Sequence, residues 1–117
     1  MSALTINLPW PPAAVSPNAR VHWSEKHAAI KKMKGWAIWE TKCQEDWPHL
    51  KAAGYRIVAV VDDRRRRDRD NLAASCKAYL DGIAAALGQD DSAWEFYGVA
   101  IEQGAEKRIK IILELAK

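Results

Sequence analysis

The stretch from Tyr55 to Gly88 reads YRIVAVVDDRRRRDRDNLAASCKAYLDGIAAALG, and it decides the fold. Its first seven residues, Tyr55 to Val61, are almost continuously apolar and rich in β-branched side chains, which is typical of an interior strand. From Asp70 to Leu87 apolar residues recur at 3.6-residue spacing, and Gly88 suits a left-handed helix cap. The stretch therefore predicts a buried strand, a charged loop and a helix with one apolar face. That face consists of Leu72, Cys76, Leu80, Ile83 and Leu87.

The flanking sequence adds a first helix and further strands. Thr5 to Leu8 is a short strand candidate that ends at Pro9. Ser24 can cap a helix whose apolar positions fall within about 120° of arc. Glu95 to Glu102 and Arg108 to Leu115 predict two strands joined as a β-hairpin. The apolar positions of the first helix are Ala29, Met33, Trp36, Trp39, Cys43 and Trp47.

The resulting order, β-α-β-α-β-β, predicts an α+β fold with a small mixed sheet of about four strands and two helices. A chain of 117 residues holds one core, so residues 1–117 form a single domain. The longest apolar runs are far shorter than the roughly 18 residues of a membrane-spanning helix, and the start MSALTINLPWPP does not read as a secretory signal. We therefore expect a cytoplasmic protein with no membrane partner. Cys43 and Cys76 both fall on predicted apolar faces, which favours reduced, buried thiols.

Carboxylates and arginines alternate between the predicted strand and the second helix. In an extended chain Asp68 and Asp70 point to one side, and two converging carboxylates repel unless a cation lies between them. Oxygen ligands with few nitrogen or sulfur partners suit Mg²⁺ or Mn²⁺. The alternative is a solvated charge run in which Arg and Asp pair locally and one of these aspartates caps the helix. The residues themselves leave both interpretations open.

Helical geometry adds a lysine to the same side. Asp70 and Lys77 are seven residues apart, which returns to within about 20° of one direction, and Asp81 is about 40° further round. With Ala74 they form a polar stripe opposite the apolar face, free to line a cleft. A lysine there could offset charge that develops on a phosphate, although exposed helical lysines often have no such role.

Several motifs occur in order along the chain: an opening strand followed by LPWPP, SPN at 16–18, the RRRRDRDNL block, a lysine and Asp81 down the helix, and DDS at 90–92. With these motifs the chain resembles the RusA-type crossover junction endodeoxyribonucleases, the Holliday junction resolvases of phages and prophages, nearly end to end. The resemblance implies a homodimeric, Mg²⁺-dependent enzyme, with Mn²⁺ as a substitute ion. Such an enzyme binds four-way DNA junctions and nicks opposing strands symmetrically during DNA recombination or repair.

The resemblance also assigns roles to residues. The metal-binding carboxylates would be Asp68 and Asp70 of the DxDN motif and Asp91 of the later pair, with Asp90 as the alternative to Asp91. The family lysine follows the second aspartate by four residues, where this chain has Ala74, so Lys77 matches it with a three-residue insertion. The expected catalytic set is Asp68, Asp70, Lys77 and Asp91.

The arginine run is expected to hold phosphates along the junction without reading sequence. The net charge of +3 agrees with an acidic partner without requiring one. The expected DNA-binding residues are Arg64, Arg65, Arg66, Arg67, Arg69 and Asn71, with Arg20, Lys31, Lys32 and Lys34 as additions. Two alternatives stay open. A non-catalytic nucleic-acid-binding module would explain the arginines but not three aspartates, and a metal-dependent nuclease acting on other branched DNA or on RNA would share the chemistry.

The length of the second predicted helix determines whether Asp91 can reach Asp70 of the same chain. A continuous helix from Asp70 to Leu87 would be roughly 25 Å long, and the four residues that follow could return at most about 13 Å. Asp91 would then not reach Asp70 of its own chain. Antiparallel packing in a two-fold dimer would bring Asp91 of one chain to Asp68 and Asp70 of the other, which predicts active sites shared between subunits. The alternative is a shorter helix, or one that breaks near Gly82.

Overall fold

Strands and helices alternate along the chain in the predicted order, except that the second helix is divided in two. In the computed structural model of the protein, which describes residues 2–116, the strands are β1 (Ala3–Pro9), β2 (Ala52–Val61), β3 (Glu95–Gln103) and β4 (Arg108–Leu115). The helices are α1 (Trp23–Lys42), α2 (Arg69–Ser75) and α3 (Lys77–Leu87), and short 3-10 turns lie at Ala13–Val15, Trp47–His49 and Asp91–Ala93. The predicted α+β class with a four-stranded mixed sheet is confirmed. Within residues 2–116, none of the helices is both long and apolar enough to cross a bilayer.

The predicted hairpin of β3 and β4 is wrong, because β2 lies between these two strands. The sheet order is β1-β4-β2-β3, and β2 runs parallel to β3 and antiparallel to β4. β2 is apolar along most of its length and buried from Ile57 to Val61, so burial is complete only with a neighbour on each edge. Parallel strands need a long crossover, which α2 and α3 supply. The turn after β3 then passes the end of β2, where Gly104 donates its N–H to the Val61 carbonyl at 2.9 Å.

Cys76 interrupts the helix that the sequence predicts to be continuous. Its backbone, with φ −95° and ψ 2°, lies outside the helical region, and its N–H donates to Ala73 O in a tightened turn. The predicted continuity from 70 to 87 is therefore wrong, and the break lies at Cys76 instead of near Gly82. The chain-length argument for shared active sites fails with it, since that argument assumed one straight helix. The predicted apolar face itself is confirmed, because Leu72, Cys76, Leu80 and Ile83 are buried and Leu87 is half-buried.

The face through which α1 packs overlaps the predicted one only in part, because Met33 is buried and Ala29 and Trp36 pack against the core as expected. Its buried residues are Met33, Ala37 and Thr41, whereas Trp39 is 70% exposed and Cys43 is also exposed. Close helix approach explains the difference, because a Cβ on Gly82 of α3 would lie only 2.8 Å from the Ala37 Cβ. Small side chains are therefore needed at the crossing. The expectation of a buried thiol is correct for Cys76 and wrong for Cys43, and both thiols are free.

Candidate functional site

The first turn of α2 contains the two aspartates of the arginine-rich block. Asp68 is the N-cap residue, and its Oδ1 accepts the backbone N–H groups of Asp70 at 2.8 Å and Asn71 at 3.2 Å. Asp68 therefore caps the helix, as one of the two interpretations of the sequence predicts. Both capping bonds go to Oδ1, and Oδ2 takes part in neither of them. Asp70 follows in the first helical turn with its side chain exposed to solvent. Both carboxylates also lie at the helix end that favours negative charge.

Lys77 opens α3 and connects two carboxylates. Its Nζ lies 2.9 Å from Asp91 Oδ2 and 3.0 Å from Asp81 Oδ1. The hydrogen bond from Lys77 to Asp91, followed by the one to Asp81, raises the pKa of the lysine to about 12. The lysine side chain is 63% exposed, whereas that of Asp91 is only 17% exposed. Lys77 is therefore a fixed cation at the surface, held from beneath by a largely covered carboxylate.

The structure distinguishes the two aspartates that follow Gly88. Asp90 turns back on its own loop, where its carboxylate accepts the Ser92 N–H at 2.9 Å, and this bond lowers the pKa of Asp90. Asp91 begins the short 3-10 turn and points to Lys77. Of the two, Asp91 is thus the residue that lies beside α3. Lys77 and Asp91 meet within one chain.

Arg67 is held in a cluster that we call the Asp63 clamp, formed by Asp63, Arg67, Lys107 and Trp10. The guanidinium of Arg67 donates to both carboxylate oxygens of Asp63, at 2.7 and 3.1 Å, and Lys107 Nζ lies 3.6 Å from Asp63 Oδ2. Both cations lie over the Trp10 ring, at 5.5 and 5.9 Å from its centroid. The bond from Arg67 is the main cause that holds the pKa of Asp63 well below its usual value.

The other predicted DNA-binding arginines divide into two groups. Arg64, Arg65 and Arg66 have exposed side chains on the loop before α2. Arg69 is also exposed, but its Nε donates to the Val99 carbonyl of β3 at 3.1 Å, which ties α2 to the sheet edge. Arg67 and Arg69 therefore have structural partners, and the three consecutive arginines project into solvent.

Two adjoining cavities run along α2, and we refer to them together as the α2 groove. One has a volume of about 420 Å³, and the other, of about 360 Å³, meets it at Ser75. The loop from 10 to 18, which contains the end of the LPWPP motif and the whole SPN motif, supplies further lining residues to both cavities. The first cavity is lined by Arg65, Arg66, Asp68 and Asn71, among others, and the second by Lys26, Ala74, Lys77 and Asp81.

The groove brings together most of the predicted polar stripe. Ala74, Lys77 and Asp81 line one cavity as expected, but Asp70 lines neither. Across residues 2–116, no three Asp, Glu, His or Cys side chains gather into a group that could hold a metal ion, so Asp68, Asp70 and Asp91 do not form one. Mg²⁺ requires less than such a cage, since it often takes one or two carboxylates together with waters and substrate phosphates. The all-oxygen chemistry of these aspartates fits that mode of binding.

Sequence reasoning missed most of the Asp63 clamp and an aromatic pair on β2 and β3. Asp63 stands four residues before Arg67, a visible spacing, but Trp10 and Lys107 come from distant parts of the chain. The sequence pattern assigns Tyr55 and Phe96 only to strands, whereas their rings stack at 5.0 Å near Asp91. Finding that pair requires the β2–β3 register, in which Tyr55 and Phe96 are partners.

Comparisons with known proteins identify a relative but no function. A curated protein of Xylella fastidiosa (strain Temecula1), described as an uncharacterized protein, is 38% identical over 92 residues. The match covers 74% of this chain and 60% of the relative, so the chain spans about three-fifths of that relative's length. No model of a known protein family matches the chain.

Proposed function

We propose that this chain is a Mg²⁺-dependent endonuclease that resolves four-way DNA junctions by symmetric nicking, like the RusA-type enzymes it resembles. The observation that carries the proposal is the α2 groove. Asp68 and exposed arginines line one half of it, and Lys77 and Asp81 line the other. Phosphodiester cleavage needs both parts, cations that hold phosphates and carboxylates that hold a metal ion.

Lys77 is the residue that faces a phosphate in this proposal. With a pKa of about 12 its ammonium group stays charged at neutral pH, so it stabilises negative charge on the phosphate or leaving oxygen and does not act as a base. Asp91 and Asp81 hold the ammonium group from two directions. This arrangement fixes the position of the charge before DNA binds.

One or two of the carboxylates of Asp68, Asp70 and Asp91 would hold Mg²⁺, or Mn²⁺ in its place, together with waters and oxygens of the bound DNA, a mode that needs no preformed group of three. The ion would supply polarisation of the scissile phosphate and a lowered pKa for an attacking water. Asp68 has a second task, because its capping bonds to Asp70 and Asn71 fix the first turn of α2. Asp70 is thereby presented to solvent from a rigid backbone.

The proposal includes a homodimer, because symmetric nicking of two opposing strands requires two sites related by a two-fold axis. Arg64, Arg65 and Arg66 would hold the phosphates of the junction arms, and Asn71 would contact the DNA strand from within the groove. The setting would be cytoplasmic, in DNA recombination or repair in a bacterial cell or encoded by a phage or prophage.

Two other functions use parts of the same surface. A non-catalytic nucleic-acid-binding module accounts for the arginines, but carboxylates beside a phosphate site would weaken its binding. A metal-dependent nuclease acting on other branched DNA or on RNA needs the same groove and differs in substrate. Substrate choice therefore separates the three functions.

The deciding experiment compares a labelled four-way junction with linear duplex, single-stranded DNA and RNA, each with and without Mg²⁺. We expect paired nicks in opposing strands of the junction, only with Mg²⁺. Asp70→Asn should abolish nicking and leave junction binding unchanged or tighter, because it removes a carboxylate that repels DNA. Asp46→Asn, the same change at an exposed aspartate that is not one of the proposed metal ligands, is the matched control. Equal loss of binding and nicking in folded Asp70→Asn protein would contradict a metal-binding role.

A further inference from the structure

Two aromatic rings stack across β2 and β3, and β3 begins shortly after the turn that contains Asp91. Tyr55 of β2 and Phe96 of β3 are register partners in the parallel pair, and their ring centroids lie 5.0 Å apart at an interplanar angle of 24°. Trp94 meets Tyr55 edge-on, at 6.4 Å and 66°. Trp94 is buried and Tyr55 half-buried, so the inner ring of the stack is held by the core.

The outer ring of this stack is open to solvent. Phe96 is 48% exposed even though its partner Tyr55 lies on the face of the sheet that packs against the helices. An exposed phenyl ring that rests on a fixed ring is a rigid, flat, apolar surface. Its adjacent residue, Tyr97, is equally exposed at 49%, but it bonds Glu114 on the opposite face of the sheet.

The aromatic pair is linked to the proposed reacting groups by the chain and by the charge that Tyr55 experiences. The backbone N–H of Trp94 donates to Asp91 O at 3.1 Å, so the turn that carries Asp91 leads directly into the strand that carries Phe96. The pKa of Tyr55 is raised, first by burial and then by the charge of Asp91. The tyrosine hydroxyl thus lies within electrostatic reach of the Lys77–Asp91 pair.

We propose that Phe96, backed by Tyr55, is a stacking platform for one nucleobase of the DNA strand whose phosphate lies at Lys77. This inference rests on the proposed function and extends it to the base beside the cleaved phosphate. Aromatic side chains bind bases by stacking without regard to sequence, since every base has a π-face. Bases inside a continuous duplex have both faces covered, so the platform selects a base that a branch point has unstacked.

The neighbouring backbone favours a base over a second copy of this chain as the occupant. β3 is an edge strand, but Arg69 occupies its Val99 carbonyl and a register shift near Gly98, at φ 107°, interrupts its ladder. Such features hinder strand pairing with another chain. Lys77 and Asp91, whose charges act on Tyr55, suit a nucleotide, which has a charged phosphate beside an apolar base.

The test measures binding to a series of four-way junctions in the absence of divalent ions. Each junction of the series contains a single abasic site, placed at a different position around the expected cleavage site. For the wild-type protein we expect one position at which removal of the base weakens binding by about 5- to 100-fold. Phe96→Leu should bind the intact junction more weakly by a similar factor. Its affinity should be the same for the junction with that abasic site as for the intact junction. Phe96→Trp should restore the penalty, and Tyr97→Leu is the matched control on the opposite face of the same strand.

The outcomes separate this inference from the proposed function. An equal abasic penalty in wild-type and folded Phe96→Leu protein overturns the platform and leaves the nuclease in place. A wild-type protein that neither binds nor nicks any branched DNA overturns the proposed function itself. Light scattering tests whether a second copy of this chain occupies the ring instead. If Phe96→Leu converts a dimer to a monomer, the ring belongs to an interface between copies, and the proposed platform is wrong.

Discussion

Two ion clusters of the molecule combine cations and carboxylates in opposite ratios. The Asp63 clamp places one carboxylate between two cations, Arg67 and Lys107, and covers them with the Trp10 ring. At the start of α3 one cation, Lys77, lies between the carboxylates of Asp81 and Asp91 beside an open cavity. The first cluster has an excess of positive charge and the second an excess of negative charge.

This difference indicates different roles. In the clamp, Arg67 has a side chain only 12% exposed and is bonded to both oxygens of its partner, so it is fixed in place and occupied by that partner. In the second cluster the uncompensated carboxylate can accept a further cation, while Lys77, 63% exposed, remains open to an anion. We therefore expect the clamp to be mainly structural, whereas in the proposed function the Lys77 cluster would act on a phosphate held beside a metal ion.

An Asp→Asn substitution made once in each cluster should give the largest difference in nicking activity. Asp91→Asn removes a proposed metal ligand and the main partner of Lys77, so we expect nicking to fall below detection while junction binding persists. Asp63→Asn should retain nicking and lower the melting temperature, because it weakens only the clamp. Both are measured by junction nicking with Mg²⁺ and by thermal unfolding. Loss of nicking in folded Asp63→Asn protein would contradict the division of roles.

Removal of the single cation in the second cluster should have the next largest effect. Lys77→Gln is expected to lower the nicking rate by about 10²- to 10³-fold, because it removes a group that stabilises transition-state charge. Lys77→Arg should recover part of that rate. Single-turnover nicking of a labelled junction measures both variants, and a wild-type rate in Lys77→Gln would remove the lysine from the reaction.

The pH profile gives an independent measurement of Lys77. Its pKa is raised to about 12, so the ammonium group persists as pH rises and is deprotonated only near that value. Between pH 7 and pH 10 we therefore expect Lys77 to stay charged. The pH profiles of the wild type and of Lys77→Arg should then have the same shape over this range. A descending limb near pH 9 that is present in the wild type and absent in Lys77→Arg would show that the lysine titrates there.

Local spacing predicted part of the Lys77 cluster, whereas the Asp63–Arg67 pair of the clamp was missed although its spacing is visible. The Lys77–Asp81 pair and the apolar face of α2 and α3 follow from helical periodicity, and both are present. The contact of Lys77 with Asp91 depends on the position of the break at Cys76, where the tightened turn has no clear signal in the sequence. The clamp needs Trp10 and Lys107, which only the tertiary fold brings to Asp63.

The errors in the fold have a similar cause. The periodicity of β3 and β4 identifies each strand, but their order depends on how β2 completes its burial, which is a property of the whole sheet. On α1 the predicted face is correct at Met33 and Trp36, but the close approach of Gly82 to Ala37 shifted the buried face away from Trp39. Local patterns thus predicted the elements, and packing between elements decided their partners.

Salt dependence should distinguish the arginine of the clamp from the exposed arginines. Replacing Arg65 and Arg66 with Ala should weaken binding to every DNA form and reduce the slope of log affinity against log salt by about 0.9 for each phosphate that the protein no longer neutralises. Arg67→Ala should leave that slope nearly unchanged and lower the melting temperature. Equal slopes in the double variant and the wild type would assign the exposed run to a solvated loop.

The smallest effect concerns the cysteine that separates α2 from α3. Burial raises the pKa of the Cys76 thiol to about 12, so at pH 8 only about one thiol in 10⁴ is ionised, and the thiolate is the reactive form. Cys43 is exposed. We therefore expect iodoacetamide to modify one cysteine of the native protein, which peptide mass spectrometry should locate at Cys43, with no change in nicking rate. Because Cys76 lies in the break directly before Lys77, its protection measures whether α2 and α3 stay packed on the core. Rapid modification of Cys76 in the folded protein would mean that the break opens readily, and Lys77 and Asp91 would then not form a fixed pair.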